Sequence, residues 1–128
     1  MGAVYAVGTA TEMRAWHVMP GAPDPEGQLH THDYRLELVV ESKELRGQGW
    51  VCDLDVLNAA LSDVVGQVAD QDLEVIRPVN AEAVTVEVFA RWLHDQLSET
   101  VRDAGADVLG VRVWESPTAF GGYRASVR

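Results

Sequence analysis

Strict alternation of side chains marks the stretch from His30 to Glu41. His30, His32, Tyr34, Leu36, Leu38 and Val40 fall on one face, and Thr31, Asp33, Arg35, Glu37 and Val39 on the other. This period-two pattern predicts a half-buried strand. Val4 to His17 is β-rich at both ends around Gly8-Thr9-Ala10-Thr11, which predicts one long bent strand or a tight hairpin. Met19 to Gly27 holds Pro20, Gly21, Pro23, Pro25 and Gly27 and reads as a stiff loop. Ser42 to Gly49 reads as a glycine-containing turn. The period then changes. Asp53 can cap a helix over Asp53 to Val65, with Leu54, Leu57, Leu61 and Val64 or Val65 at helical spacing. Ala69 to Asn80 is irregular and polar. Ala83 to Val101 carries the strongest helical stripe, Val86, Ala90, Leu93, Leu97 and Val101, widened by Phe89. Gly105 stands where a helix-ending glycine is expected. Val108 to Trp114 alternates again, with Val111 and Val113 against Arg112 and Trp114. Gly121 to Val127 is the expected last strand, across the Pro117 to Gly122 loop.

The order strand, strand, helix, helix, strand, strand predicts an α+β domain: an antiparallel β-sheet with two helices packed on one face. A chain of 128 residues makes one domain, residues 1–128, with enough length to fold without disulfides. A sheet this small leaves open edges, and assembly with further copies would cover them. The formal net charge of −10 argues against nucleic-acid backbones and anionic membrane surfaces as partners. The single cysteine, Cys52, excludes a disulfide framework and a multi-cysteine metal site, and reads best as a small buried apolar residue. The first residues lack the basic and apolar pattern of a signal peptide, and no stretch has the apolar length of a membrane span, so the expected setting is the cytoplasm.

Candidate chemistry centres on histidine. The chain has four: His17, His30, His32 and His94. His30 and His32 are two apart in a strand, so both rings leave the same face and can reach one metal ion. His17 ends the preceding strand and can supply a third nitrogen. Three imidazoles with an open position is a usual layout for catalytic zinc, although iron or nickel accept the same donors. Ordinary strand histidines with hydrogen-bond partners are the plain alternative. Asp33 points to the opposite face and is not a natural fourth ligand. His94 lies in the long helix and is assigned to the surface or to helix packing.

At these residues the chain resembles the zinc-dependent 6-pyruvoyl-tetrahydropterin synthase and 6-carboxytetrahydropterin synthase family. Arg14-Ala15-Trp16-His17 is similar to the family's first strand, which ends in a histidine. His30-Thr31-His32-Asp33-Tyr34 resembles its His-Gly-His motif and following aromatic. Gly49-Trp50-Val51-Cys52-Asp53-Leu54 looks like its glycine turn and helix start. Val84-Thr85-Val86-Glu87 looks like its Pro-Thr-x-Glu helix opening, without the proline. Trp114-Glu115-Ser116 falls where the family places a pterin-anchoring glutamate. The resemblance covers nearly the whole chain. It implies the tunnelling fold, in which sheets of several copies close into a barrel, often as a trimer stacked on a trimer. A homohexamer with sites between subunits is therefore expected, and Glu115 would serve a zinc held by a neighbouring chain. It further implies Zn2+ on His17, His30 and His32, and a small-molecule substrate held by Glu115, with Thr85 and Glu87 at the ligand's edge or simply capping the long helix.

Two departures bear on the reaction. The family's usual proton-transfer cysteine stands four positions before the His-x-His pair, and here that place is Glu26, within Glu26-Gly27-Gln28-Leu29-His30. Its Leu-Asp-His-x-x-Leu-Asn motif becomes Val68-Ala69-Asp70-Gln71-Asp72-Leu73-Glu74, so that Asp70 replaces the relay histidine. A carboxylate and an imidazole differ in charge and working pKa. The resemblance therefore implies a lyase with Glu26 as base and Asp70 as a second acid or base. One subgroup with glutamate at this place resembles an aldolase, cleaving the side chain of a dihydroneopterin-like substrate. The alternatives are a repurposed member acting on a non-pterin substrate in specialised metabolism, and a non-catalytic ligand-binding homologue. Arg14 and Arg35 are the candidate cations for a phosphate chain.

Overall fold

The computed structural model describes residues 2–128. Strands β1 (Tyr5–His17), β2 (His30–Ser42), β3 (Val108–Ser116) and β4 (Ala119–Ser126) form one antiparallel sheet in the order β1-β2-β3-β4. Between β2 and β3 the chain makes helix α1 (Leu54–Val68), a short 3-10 helix at Leu73–Ile76, and helix α2 (Val86–Asp103). The α+β reading is correct, with both helices on one face of the sheet. Val4 to His17 resolves to a single strand. Tyr5 pairs with Ser42 and His17 with His30 in unbroken register, which leaves no hairpin in it.

Alternation is visible in the burial. Tyr34, Leu36, Leu38 and Val40 are buried under the helices, while Thr31, Asp33 and Arg35 are exposed. From α2 they meet Phe89, Leu93, Leu97 and Val101, and from α1 Leu57, Leu61, Val64 and Val68, all in one core. Leu54, expected in that stripe, is instead exposed in the first turn of α1. Asp53 caps α1, accepting a hydrogen bond from the backbone N–H of Asp55, and the helix runs three residues past the expected end. The region read as irregular contains the 3-10 helix, capped in the same way by Asp72. Thr85 caps α2, its hydroxyl accepting from the Val88 N–H. At the other end, Gly105 adopts φ +98, with Gly105 N–H bonding Arg102 O and Ala106 N–H bonding Val101 O. That double bond pattern is how a helix closes on a left-handed residue. A side chain at Gly105 would also collide with the guanidinium of Arg46. Among the described residues, no helix is long and apolar enough to cross a membrane.

Candidate metal centre

Register assembles the histidines. His17 stands directly opposite His30, and Ala15 directly opposite His32, so the three rings crowd one end of the helix-covered face. One nitrogen from each ring lies within 4.8 Å of the others. His30 Nδ1 sits 2.7 Å from the Gln28 carbonyl oxygen. That contact makes Nδ1 the N–H donor and leaves the Nε2 lone pair free, the arrangement that orients a metal-bound imidazole. His30 Nε2 and His32 Nε2 are 2.9 Å apart. Two nitrogens on a tetrahedral zinc ion are about 3.3 Å apart, from bond lengths near 2.0–2.1 Å, so only a small shift separates this spacing from ligation.

His17 gives the clearest sign. It is 7% exposed, and neither ring nitrogen makes a hydrogen bond of good geometry, although the Val84 backbone lies close to the ring. Buried polar atoms are nearly always paired, and a metal ion would satisfy one of these. Burial lowers the His17 pKa, and the neighbouring His30 and His32 lower it further, while Glu115 opposes them. The ring is thus biased toward the neutral form that binds metal. The donor set fits a borderline divalent ion such as zinc.

The loop between His17 and His30 is tightly wound. Met19 N–H bonds Glu26 O, Gly27 N–H bonds Pro23 O, and Gln28 N–H bonds Pro25 O. A Cβ on Gly27 would lie 2.2 Å from the Ala22 carbonyl oxygen, so this turn requires glycine. Glu26 is exposed on this loop, four residues before His30.

Glu115 occupies a bulge. Trp114 pairs with Phe120 and Ser116 with Ala119, leaving Glu115 unpaired between them. Bulges re-aim side chains, and this one brings the carboxylate near the histidine end of its own chain. Its charge favours protonated His17 and, after burial, helps to push the Tyr34 phenol above its ordinary range. Tyr34 itself joins the wall of the site, with its ring 5.5 Å from His32 and 5.6 Å from Phe89. In the sequence Tyr34 is a position of the strand's buried face and the aromatic that follows the His-x-His pair, with no role in the site assigned to it. Its place two residues after His32 was the available signal.

Thr85 and Glu87 line a groove of about 820 Å³ with Met19, Ala83, Arg91 and Trp92. The backbone of Val84, next to Thr85, lies near the His17 ring, which ties this groove to the histidines. Asp70 is placed elsewhere. It adopts φ +62, its N–H bonds the Arg14 carbonyl oxygen on the edge of β1, and its neighbours in a smaller cleft are Glu12, Arg14 and Asp33. Within one chain it does not join the histidine group. His94 is buried rather than at the surface. It contacts Ser98 and the Ala125 carbonyl oxygen and packs edge-on against Tyr123. Cys52 is buried, and burial pushes its thiol pKa up.

The family model for 6-pyruvoyl tetrahydropterin synthase matches residues 7–126. No curated protein matches the sequence significantly. Several solved structures share the fold. A Plasmodium vivax 6-pyruvoyltetrahydropterin synthase, in a form with cysteine replacing a catalytic glutamate, is 14% identical with a TM-score of 0.74, covering 97% of this chain and 99% of that one. Caenorhabditis elegans 6-pyruvoyl tetrahydropterin synthase is 17% identical with a TM-score of 0.67, covering 98% of each chain. An uncharacterized protein from Wolinella succinogenes is 16% identical with a TM-score of 0.71, covering 98% and 99%.

Proposed function

Since the chain belongs to the 6-pyruvoyl tetrahydropterin synthase family, we propose that it is a zinc-dependent lyase acting on a dihydroneopterin-like substrate with a hydroxylated side chain. The observation that carries this reading is the set of three imidazole nitrogens within 4.8 Å, one ring buried without a hydrogen bond of good geometry. His17, His30 and His32 would hold the ion, which when bound supplies a Lewis acid beside the substrate's hydroxyl oxygens.

The chain's own groups divide the remaining work. Glu115, on its bulge, is suited to accept two parallel hydrogen bonds from an amino-pyrimidinone edge, which fixes the ring. The Thr85 hydroxyl oxygen accepts from Val88, so its proton is free to donate to the ligand. Glu26 is the proposed base, and the similar Plasmodium vivax enzyme is described with a catalytic glutamate. In a retro-aldol cleavage Glu26 takes a side-chain hydroxyl proton. That carbon becomes a carbonyl, the neighbouring C–C bond breaks, and its electron pair passes to the ring-side carbon, which is then protonated.

The second proton-transfer group, Asp70, would serve the site of a neighbouring copy, because within one chain its N–H bonds the Arg14 carbonyl oxygen and it stands apart from the three histidines. A ring or hexamer built by pairing the β1 edge with the β4 edge of the next copy supplies that neighbour. The position of Asp70 also supports a second reading, a homologue that binds its ligand without turnover or acts on a non-pterin ring. Titration of the zinc-loaded protein with neopterin, followed by pterin fluorescence beside a Glu115→Ala control, tests the proposal. Saturable binding that the control loses supports a pterin ligand. Absence of binding in metal-loaded protein overturns it.

A further inference from the structure

Glu115 owes its place to the hairpin that joins β3 to β4. Among the described residues the β2–β3 ladder ends at Arg35 opposite Trp114. Beyond that pair β3 goes on in register with β4. Trp114 stands opposite Phe120 and Ser116 opposite Ala119, and Pro117 and Thr118 make the turn. Glu115 is the extra residue between the two pairs, so the hairpin alone fixes where it stands.

Glu115, Ser116, Pro117, Thr118 and Ala119 can be shared between strand and turn in two ways. In one, Ser116 pairs with Ala119 across a two-residue turn, and Glu115 is left on a bulge. In the other, Glu115 pairs with Ala119 across a three-residue loop, and the bulge is gone. Both loop lengths are common in hairpins. The Ser116 hydroxyl decides between them. Its Oγ accepts from the Thr118 N–H at 3.3 Å and from the Ala119 N–H at 3.1 Å, which closes the shorter turn. Serine suits the first position of such a turn, and proline, with its fixed φ, the second. The other flank of the bulge is held by the Trp114 and Phe120 rings, with centroids 4.4 Å apart and the Arg112 guanidinium over Phe120 at 5.1 Å. That stack is compatible with either loop, so the choice falls to Ser116.

We infer that Ser116 is a positioning residue for Glu115: by accepting the Thr118 and Ala119 N–H groups, its hydroxyl locks the register in which Glu115 is free to hold the amino-pyrimidinone edge of a ligand. The inference rests on the pterin reading above and adds the residue that keeps the ring anchor in place. In the other register Glu115 is an ordinary paired strand residue and loses the aim that the bulge sets.

The test is equilibrium binding of neopterin, and of its lumazine counterpart with oxygen in place of the 2-amino group, to zinc-loaded wild type, Ser116→Ala and Ser116→Thr. Residues Glu115 to Ala119 lie outside the core, so the fold should survive both substitutions, and bound zinc is measured in each. The lumazine lacks one of the two hydrogen bonds to Glu115, and a hydrogen bond to a charged group is worth about tenfold or more in affinity. Wild type should prefer neopterin by about that factor. Ser116→Ala should lose most of the preference through weaker neopterin binding, with zinc unchanged, and Ser116→Thr should restore it. In a Glu115→Gln background Ser116→Ala should change neopterin affinity by less than about twofold, because both substitutions act through one contact. An unchanged preference in Ser116→Ala overturns the inference, as does an equal weakening of both ligands, and either result leaves the pterin reading standing. Failure of the metal-loaded wild type to bind neopterin overturns the pterin reading, and this inference with it.

Discussion

His17 is the residue on which the metal assignment can be tested without any substrate. A metal ion that binds only the folded chain, supplied at 100 times its dissociation constant, stabilises it by about 2.7 kcal/mol. Unfolding entropy is about 2.1 cal/mol/K per residue, which over 128 residues is about 0.27 kcal/mol/K. Zinc at that excess should therefore raise the Tm of the wild-type chain by about 10 °C. His17→Phe removes one donor of three and should abolish most of that rise. The metal-free protein responds in the opposite sense. Neither buried His17 nitrogen makes a hydrogen bond of good geometry, and an unpaired buried polar group costs about 1–3 kcal/mol. Relief of even the lower figure, through a ring of similar shape, raises the metal-free Tm by about 4 °C. Scanning calorimetry on both proteins, with and without zinc, reads all four values. A zinc shift of equal size in both chains would refute the argument, as would no shift in the wild type.

Other outcomes follow from the same geometry. The His17 imidazole is held below its ordinary pKa of 6.5 by burial first and by His30 and His32 second. The unfolded chain therefore takes up this proton near pH 6.5 and the folded chain only at lower pH, so metal-free stability is full above pH 6.5 and falls as pH drops below it. Thermal melts of the metal-free wild type from pH 7.5 to 5.5 should show that slope, reduced in His17→Phe. Thr85→Ala removes the α2 cap and should cost about 1 kcal/mol, seen in melts, together with a loss of neopterin affinity. Thr85→Ser should restore both, and a stability loss with affinity intact would leave Thr85 a cap only. The Cys52 thiol is buried, with its pKa pushed up by burial and then by Asp53. Cys52→Ala should leave any zinc-dependent turnover intact, and the native thiol should react with a disulfide reagent far more slowly than the denatured chain.

Much of this was legible from local pattern. The alternation of β2 sets the faces of His30, His32, Tyr34 and Leu36, and the α2 stripe from Ala90 to Val101 is buried as its spacing requires. Caps at Asp53 and Thr85 are local chemistry and were readable in the same way. What was not legible depends on contacts between distant segments. The pairing of His17 with His30 is a matter of register, which neither strand states alone. The Glu115 bulge exists only because β4 is one residue short opposite it. Leu54 fits a helical stripe by spacing, but it is the first residue of α1 and is exposed, and burial begins one turn later at Leu57. Asp70 occupies a motif position whose neighbours, Arg14 and Asp33, come from the folded edge of the sheet. The burial of His94 under Tyr123 likewise needed β4 in place.

The most direct test of the catalytic account is product analysis. Zinc-loaded wild type and Glu26→Gln are incubated with 7,8-dihydroneopterin, and products are followed by mass spectrometry with bound metal measured in parallel. The account predicts a cleaved pterin and a small aldehyde from the wild type, and loss of both in Glu26→Gln with metal and neopterin binding retained. Unchanged turnover in Glu26→Gln, or ligand binding without any product in the wild type, would contradict it.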